Sequence, residues 1–166
     1  MLAIILLTIG FFSRLMIHIP DFTPVMGVAL LSGIYLNKRY AILLPVALLM
    51  ISDIFLGLHN TMIFTWSSVA LIAVFGLWVK KHKSFKMVLG SSVLAAVFFF
   101  LVTNFGVWLV SGMYPHTMKG LSNCFVLAIP FFRNELISTV AYSVLIYSAY
   151  ELAAVRLKQT RFATVL

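Results

Sequence analysis

The sequence is poor in charge. Asp, Glu, Lys and Arg together make up 10% of its 166 residues, against about 25% in a soluble domain. That shortage excludes a solvated globular domain, a coiled coil and a disordered chain. It holds one cysteine, Cys124, which excludes an intramolecular disulfide and a multi-cysteine metal site. A lone cysteine in an apolar stretch reads as a small core filler. His18, His59, His82 and His116 are scattered, with no pair at helical ligand spacing, so no metal and no cofactor is expected. HExxH, GxSxG and a Walker-type phosphate loop are all missing. The chain is therefore not expected to be an enzyme, and any ATP that drives it must be bound by another subunit. The apolar–polar alternation of a transmembrane barrel is missing too.

What is abundant is apolar length. Hydrophobic residues make up 63% of the chain, and the mean hydropathy is +1.09. A helix needs about 20 residues to cross a hydrocarbon core of about 30 Å. The sequence predicts an all-α membrane protein, a single integral domain over 1–166, with helices at about 2–19, 24–36, 41–57, 62–79, 87–111 and 134–155. No basic stretch precedes the first apolar run and no Ala-x-Ala-like site follows it, so that run is read as a retained helix. Pro20 stops it, and Pro24 suits the first turn of the next. Segment 24–36 is short and thin, with Gly27, Ala29, Ser32 and Gly33. Small residues at this spacing predict close packing inside the bundle, or alternatively a sliding face for a partner helix. Gly112, Pro115, Gly120 and Pro130 punctuate residues 112–133, which are expected to form only a short or interfacial helix. Phe98-Phe99-Phe100 reads as core and lipid contact.

The charges that remain are sorted by side. Lys38, Arg39, Lys80, Lys81, Lys83, Lys86, Arg156, Lys158 and Arg161 fall on one set of loop ends, and only Arg14, Lys119 and Arg133 on the other. By the positive-inside rule this predicts six crossings with both termini in the cytoplasm. The basic runs read as topology signals and contacts to membrane lipid. The run from Lys80 to Lys86 is too short a patch for nucleic acid, so none is expected as a partner.

The opposite side collects polar groups, several of them inside apolar segments, where charge is costly and therefore partnered or functional. Arg14, His18, Asp21, Asp53, His59, Asn104, Trp108, Tyr114, Arg133 and Glu135 are the candidate substrate-binding residues. Arg14 and His18 are four apart and share a helix face, as do Asn104, Trp108 and Ser111. Arg133 and Glu135 are two apart and must point to different neighbours. Arg14 with Asp53 is the preferred cross-helix pair, with Arg14 or Lys119 as alternatives for Glu135. One reading is that these ions only fix helix registry. The other is a cavity open to the outside that binds a small polar molecule. Three cations and three anions favour a zwitterionic or neutral ligand.

One arrangement of residues points to a known family. Ile19-Pro20-Asp21-Phe22-Thr23-Pro24-Val25 is followed by the thin helix with Gly27, Ala29 and Gly33. The basic turn Lys38-Arg39 comes next, and a third helix ends in Ser52-Asp53-Ile54-Phe55-Leu56-Gly57. This layout resembles the substrate-binding S-components of energy-coupling factor transporters, and more closely small bacterial six-helix membrane proteins of that type. The resemblance implies a binder of a vitamin or micronutrient in the bacterial cytoplasmic membrane, loaded from outside. It also implies a coupling transmembrane subunit and ATPases as partners. By position, residues 18–25, 53–60 and 114–124 correspond to pocket and lid segments. The competing expectation is a non-transport scaffold of similar fold, such as a cell-shape protein.

Overall fold

The computed structural model describes residues 21–158. They form five helices: α1 Val25–Tyr35, α2 Lys38–Leu56, α3 Met62–Val79, α4 Phe85–Val110 and α5 Met118–Lys158, with a 3-10 turn at Lys80–His82 between α3 and α4. Among the described residues there is no strand. The apolar runs leave the backbone no water to bond, so each segment must close its own hydrogen bonds as a helix. Lys38–Leu56, Met62–His82, Phe85–Val110 and Met118–Arg156 are each long and apolar enough to cross a membrane. The chain is a multi-pass membrane protein. The expected first helix at 2–19, with Arg14 and His18, lies outside the described residues.

Local chemistry sets the helix ends. The Ser84 hydroxyl accepts from the Met87 N–H at 3.2 Å and caps α4, as serine commonly does at this position. Gly57 ends α2 with φ 111°, a backbone region that L side chains rarely adopt. Helix α2 begins at Lys38, three residues before the expected start, because Asn37 ends the connection in an extended conformation.

Helix α1 is the axis of the bundle. Every residue from Val25 to Ile34 is buried, and α2, α3, α4 and α5 all pack on it. Its small residues serve this packing, and the face expected as an alternative surface for a partner helix is covered. A Cβ on Gly33 would lie 2.3 Å from the Ala73 carbonyl oxygen, and one on Gly76 2.3 Å from that of Leu30. Helices α1 and α3 therefore touch backbone to backbone. Small polar residues fill the interior, including Ser68, Ser91, Ser92, Ser138 and Thr139, while Ile54 and Leu145 are 71% and 64% exposed. This is the pattern of a lipid-facing bundle, in which small groups pack inward.

One boundary is corrected. The expected separation of a short segment 112–133 from a helix at 134–155 does not occur, because α5 runs unbroken from Met118 through Pro130. A proline removes one helical hydrogen bond and ordinarily kinks or ends a helix. Here packing holds both sides of it. Phe125 before Pro130 and Phe132 after it both sit against Phe100 of α4, with ring centroids 5.6 and 4.6 Å away.

The helices alternate in direction, so the connections gather at two ends. At one end the Lys80 ammonium reaches the Leu36 carbonyl at 3.4 Å, and Lys83 pairs with Glu151 at 2.6 Å. This end carries the basic loops. At the other, the Asn60 amide donates to the Val110 carbonyl at 3.4 Å, joining the α2–α3 connection to the end of α4.

Candidate functional site

A cavity of about 290 Å³ opens toward the end opposite the basic loops. Two helical stripes build most of its wall. Phe100, Thr103, Asn104 and Val107 follow one another on α4, and Ala128, Phe131, Phe132 and Glu135 on α5. Both sets have the spacing i, i+3, i+4, i+7 that defines one helix face. Val25 and Met26 of α1, Leu49 of α2 and Thr65 of α3 close the remaining sides, with Asp21, Thr23 and His59 contributed by connecting segments.

Glu135 is 4% exposed. Its Oε1 accepts from the Thr139 hydroxyl at 2.7 Å, one turn along α5. Asp21 enters from the segment before α1. Its backbone has φ 56°, a left-handed conformation that Asp tolerates better than most residues. The Ser138 hydroxyl donates to the Glu135 carbonyl at 3.0 Å and reaches the Asp21 carbonyl at 3.5 Å, so the two carboxylate-bearing segments are tied at one place. His59 stands at the exposed rim, its Nδ1 2.8 Å from the Thr61 hydroxyl.

The other polar wall groups bond back to their own helices. Thr103 donates to the Phe99 carbonyl at 2.8 Å, Asn104 Nδ2 to the Phe100 carbonyl at 2.8 Å, and Thr65 to the Thr61 carbonyl at 3.3 Å. Residues of these types commonly satisfy themselves this way inside a helix. Among the described residues no group of three His, Cys, Asp or Glu converges to hold a metal.

Four of the predicted site residues share this wall: Asp21, His59, Asn104 and Glu135. A family model, DUF6580, a family of unknown function, matches residues 1–161. The chain belongs to the DUF6580 family. No curated protein and no solved structure matches it.

Of the other predicted residues of this DUF6580 chain, Arg14 and His18 lie outside the described residues, and Asp53, Trp108, Tyr114 and Arg133 do not line the cavity. Asp53 is buried, and its Oδ2 accepts from the Trp66 indole at 2.8 Å, a polar link between α2 and α3. Trp108 donates to the Pro115 carbonyl at 3.1 Å and packs edge-on against His116 at 5.4 Å. It steadies the α4–α5 connection, and the shared face predicted for Asn104 and Trp108 divides between cavity and connection. Tyr114 is half-buried in that connection. Arg133 is exposed while Glu135 is buried, the divergence that their spacing required. Lys119 is exposed as well, outside the wall.

Sequence reasoning missed the threonines and the rings. Phe99 and Phe100 line the cavity, not only core or lipid, and Phe131 and Phe132 line it with them. The signal was present in the matched stripes at 100–107 and 128–135.

Proposed function

We propose that the chain is a membrane-embedded subunit that binds a small polar molecule from the outer side and takes part in its uptake. The observation that carries this reading is the cavity. It gathers Asp21, His59, Asn104 and Glu135 beside four phenylalanines at the end away from the basic loops. Its volume lies at the small end of ligand pockets, roughly 300–1,000 Å³, and its mix of apolar wall with a few convergent polar groups is what such pockets have in common. A pure scaffold has no use for it, which weighs against the cell-shape alternative.

The proposal includes a topology. Six crossings place both termini and the basic loops in the cytoplasm of a bacterial cell, by the distribution of Lys and Arg. The resemblance to S-components adds a coupling transmembrane subunit and ATPases as partners. Single cysteines placed in a Cys124→Ser background at residues 60 and 82 test the orientation. A membrane-impermeant maleimide applied to intact cells should label residue 60 and not residue 82, and the reverse pattern would overturn it. Ligand binding is tested by native mass spectrometry of the chain purified in mild detergent. A small molecule that stays bound, and is lost in Glu135→Gln, is the expected result. A chain that carries nothing and is stabilised by no member of a metabolite panel would end the proposal.

A further inference from the structure

We propose that the ligand of this cavity is a small protonated amine bearing N–H donors on an apolar or aromatic body. This narrows the ligand-binding reading above and rests on it. The argument comes from the polarity of the wall. Thr65, Thr103 and Asn104 each commit a proton to a carbonyl of their own helix. What each threonine hydroxyl has left is acceptor lone pairs, and Asn104 keeps its amide oxygen as an acceptor beside its second N–H. Glu135 uses one oxygen on Thr139 at 2.7 Å, whereas a carboxylate offers about four acceptor positions. Asp21 stands on the same wall but is already engaged, so Glu135 is the carboxylate that offers acceptors to a ligand.

Acceptors facing a cavity are satisfied by a ligand rich in donors. A ligand whose polar groups are themselves acceptors leaves the wall unpaired, and buried unpaired groups are costly. The rings select in the same direction. Phe99, Phe100, Phe131 and Phe132 line the same space, and the face of an aromatic ring attracts a cation. An ammonium group between Glu135 and these rings meets a charge-assisted hydrogen bond on one side and π faces on the other. Arg133 and Lys119, counted at the sequence level toward a charge-balanced site, lie outside the wall.

The full chain in mild detergent is titrated, with thermal unfolding as the readout, against phenethylamine at pH 7. Its matched analogues are 2-phenylethanol, 3-phenylpropionate and the N,N,N-trimethyl derivative of the amine. Butylamine, butanol and butyrate form a second series. The amines should stabilise saturably, at least tenfold more tightly than the alcohols, with the carboxylates silent and the trimethyl derivative weaker than its parent. Glu135→Gln should weaken amine binding at least tenfold. Phe100→Leu keeps the carboxyl group and should weaken it several-fold, and it decides the matter if Glu135→Gln does not fold. Alcohol, carboxylate or trimethyl binding equal to that of the amine overturns the assignment, as does unchanged amine binding in both variants. Native mass spectrometry separates the two levels of the argument. Silent amines together with a copurified molecule that lacks a basic nitrogen remove the amine and keep the ligand-binding reading. A copurified molecule with a basic nitrogen supports the amine even where the probes are silent. Silent amines with no bound molecule remove both.

Discussion

Glu151 and Glu135 lie on the same helix, α5, about 24 Å apart along its axis at 1.5 Å per residue. Glu151 belongs to the basic end. Its Oε1 accepts from the Tyr35 hydroxyl at 2.7 Å and from Lys83 at 2.6 Å. Tyr35 in turn packs on Tyr150, with ring centroids 3.9 Å apart, and lies under the Lys83 ammonium at 5.1 Å. Loop, α1 and α5 are thereby stitched together through this one carboxylate. Glu135 belongs to the cavity end. It is more deeply buried, yet among the described residues only Thr139 bonds to its side chain, and it faces an open volume. The basic end spends its polar groups on closure, whereas at the cavity end Glu135 keeps acceptor positions beside the open volume. Burial alone therefore does not single out Glu135 from Glu151 or Asp53. Burial beside an open cavity does.

The largest expected effect erases this comparison by striking both ends together. Gly76→Leu drives a side chain into the Leu30 carbonyl and the Gly33 backbone of the central helix. Overpacking typically costs about 1–3 kcal/mol. A backbone contact, which cannot yield as a flexible side chain can, puts this variant at the top of that range. Loss of monomeric protein after detergent extraction, read by size exclusion, and a depressed unfolding midpoint are the measurements. Gly90→Ala is the control: nothing lies within 4 Å of the added methyl, and the same assays should be unchanged.

Next comes a change confined to the cavity end. Glu135→Gln keeps the shape and removes the charge, so ligand affinity should fall by about 1.5–3 kcal/mol, the range for a hydrogen bond to a charged group. The basic end should not respond. A Tyr35 or Tyr150 fluorescence or accessibility signal that moves with Glu135→Gln would show that the two ends are coupled and not separate. Phe132→Leu should have a smaller effect on ligand affinity. It removes one ring that would supply about 0.5–1 kcal/mol of cation–π attraction to a bound ammonium, and also the contact to Phe100 that bridges Pro130.

Much of this contrast was legible in the residues, and what was not has physical causes. The positions of α1, α3 and α4 followed from apolar length, and the packing role of α1 from Gly27, Ala29 and Gly33. The division of polar groups between two ends followed from the alternation of Lys and Arg. Pro130 misled because its effect depends on tertiary contacts: Phe125 and Phe132 brace one helix across it, and no local pattern around residue 130 encodes Phe100. Asp53 and Glu135 looked alike as acids within apolar segments. Only the fold shows that Asp53 meets Trp66 between two helices while Glu135 meets a cavity. The threonines were overlooked because a hydroxyl bonded to its own helix looks spent, although its lone pairs are not.

The smallest expected effect tests the closure at the basic end. Lys83 and Glu151 are each 35% exposed, and half-exposed ion pairs contribute about 0–1 kcal/mol. Lys83→Met should therefore barely move the unfolding midpoint, and Glu151→Gln slightly more, because it also weakens the acceptor of the Tyr35 hydroxyl. The double variant should show a coupling below about 1 kcal/mol that shrinks as salt is raised, since exposed charges are screened. Ligand affinity should be unchanged in all three. A larger, salt-insensitive coupling would mean that the rings of Tyr150 and of Tyr147, whose centroid lies 6.5 Å from that of Tyr35, exclude water from this pair. A change in affinity would mean that closing the basic end shapes the cavity about 24 Å away along α5, and the two carboxylates would then be working on one device.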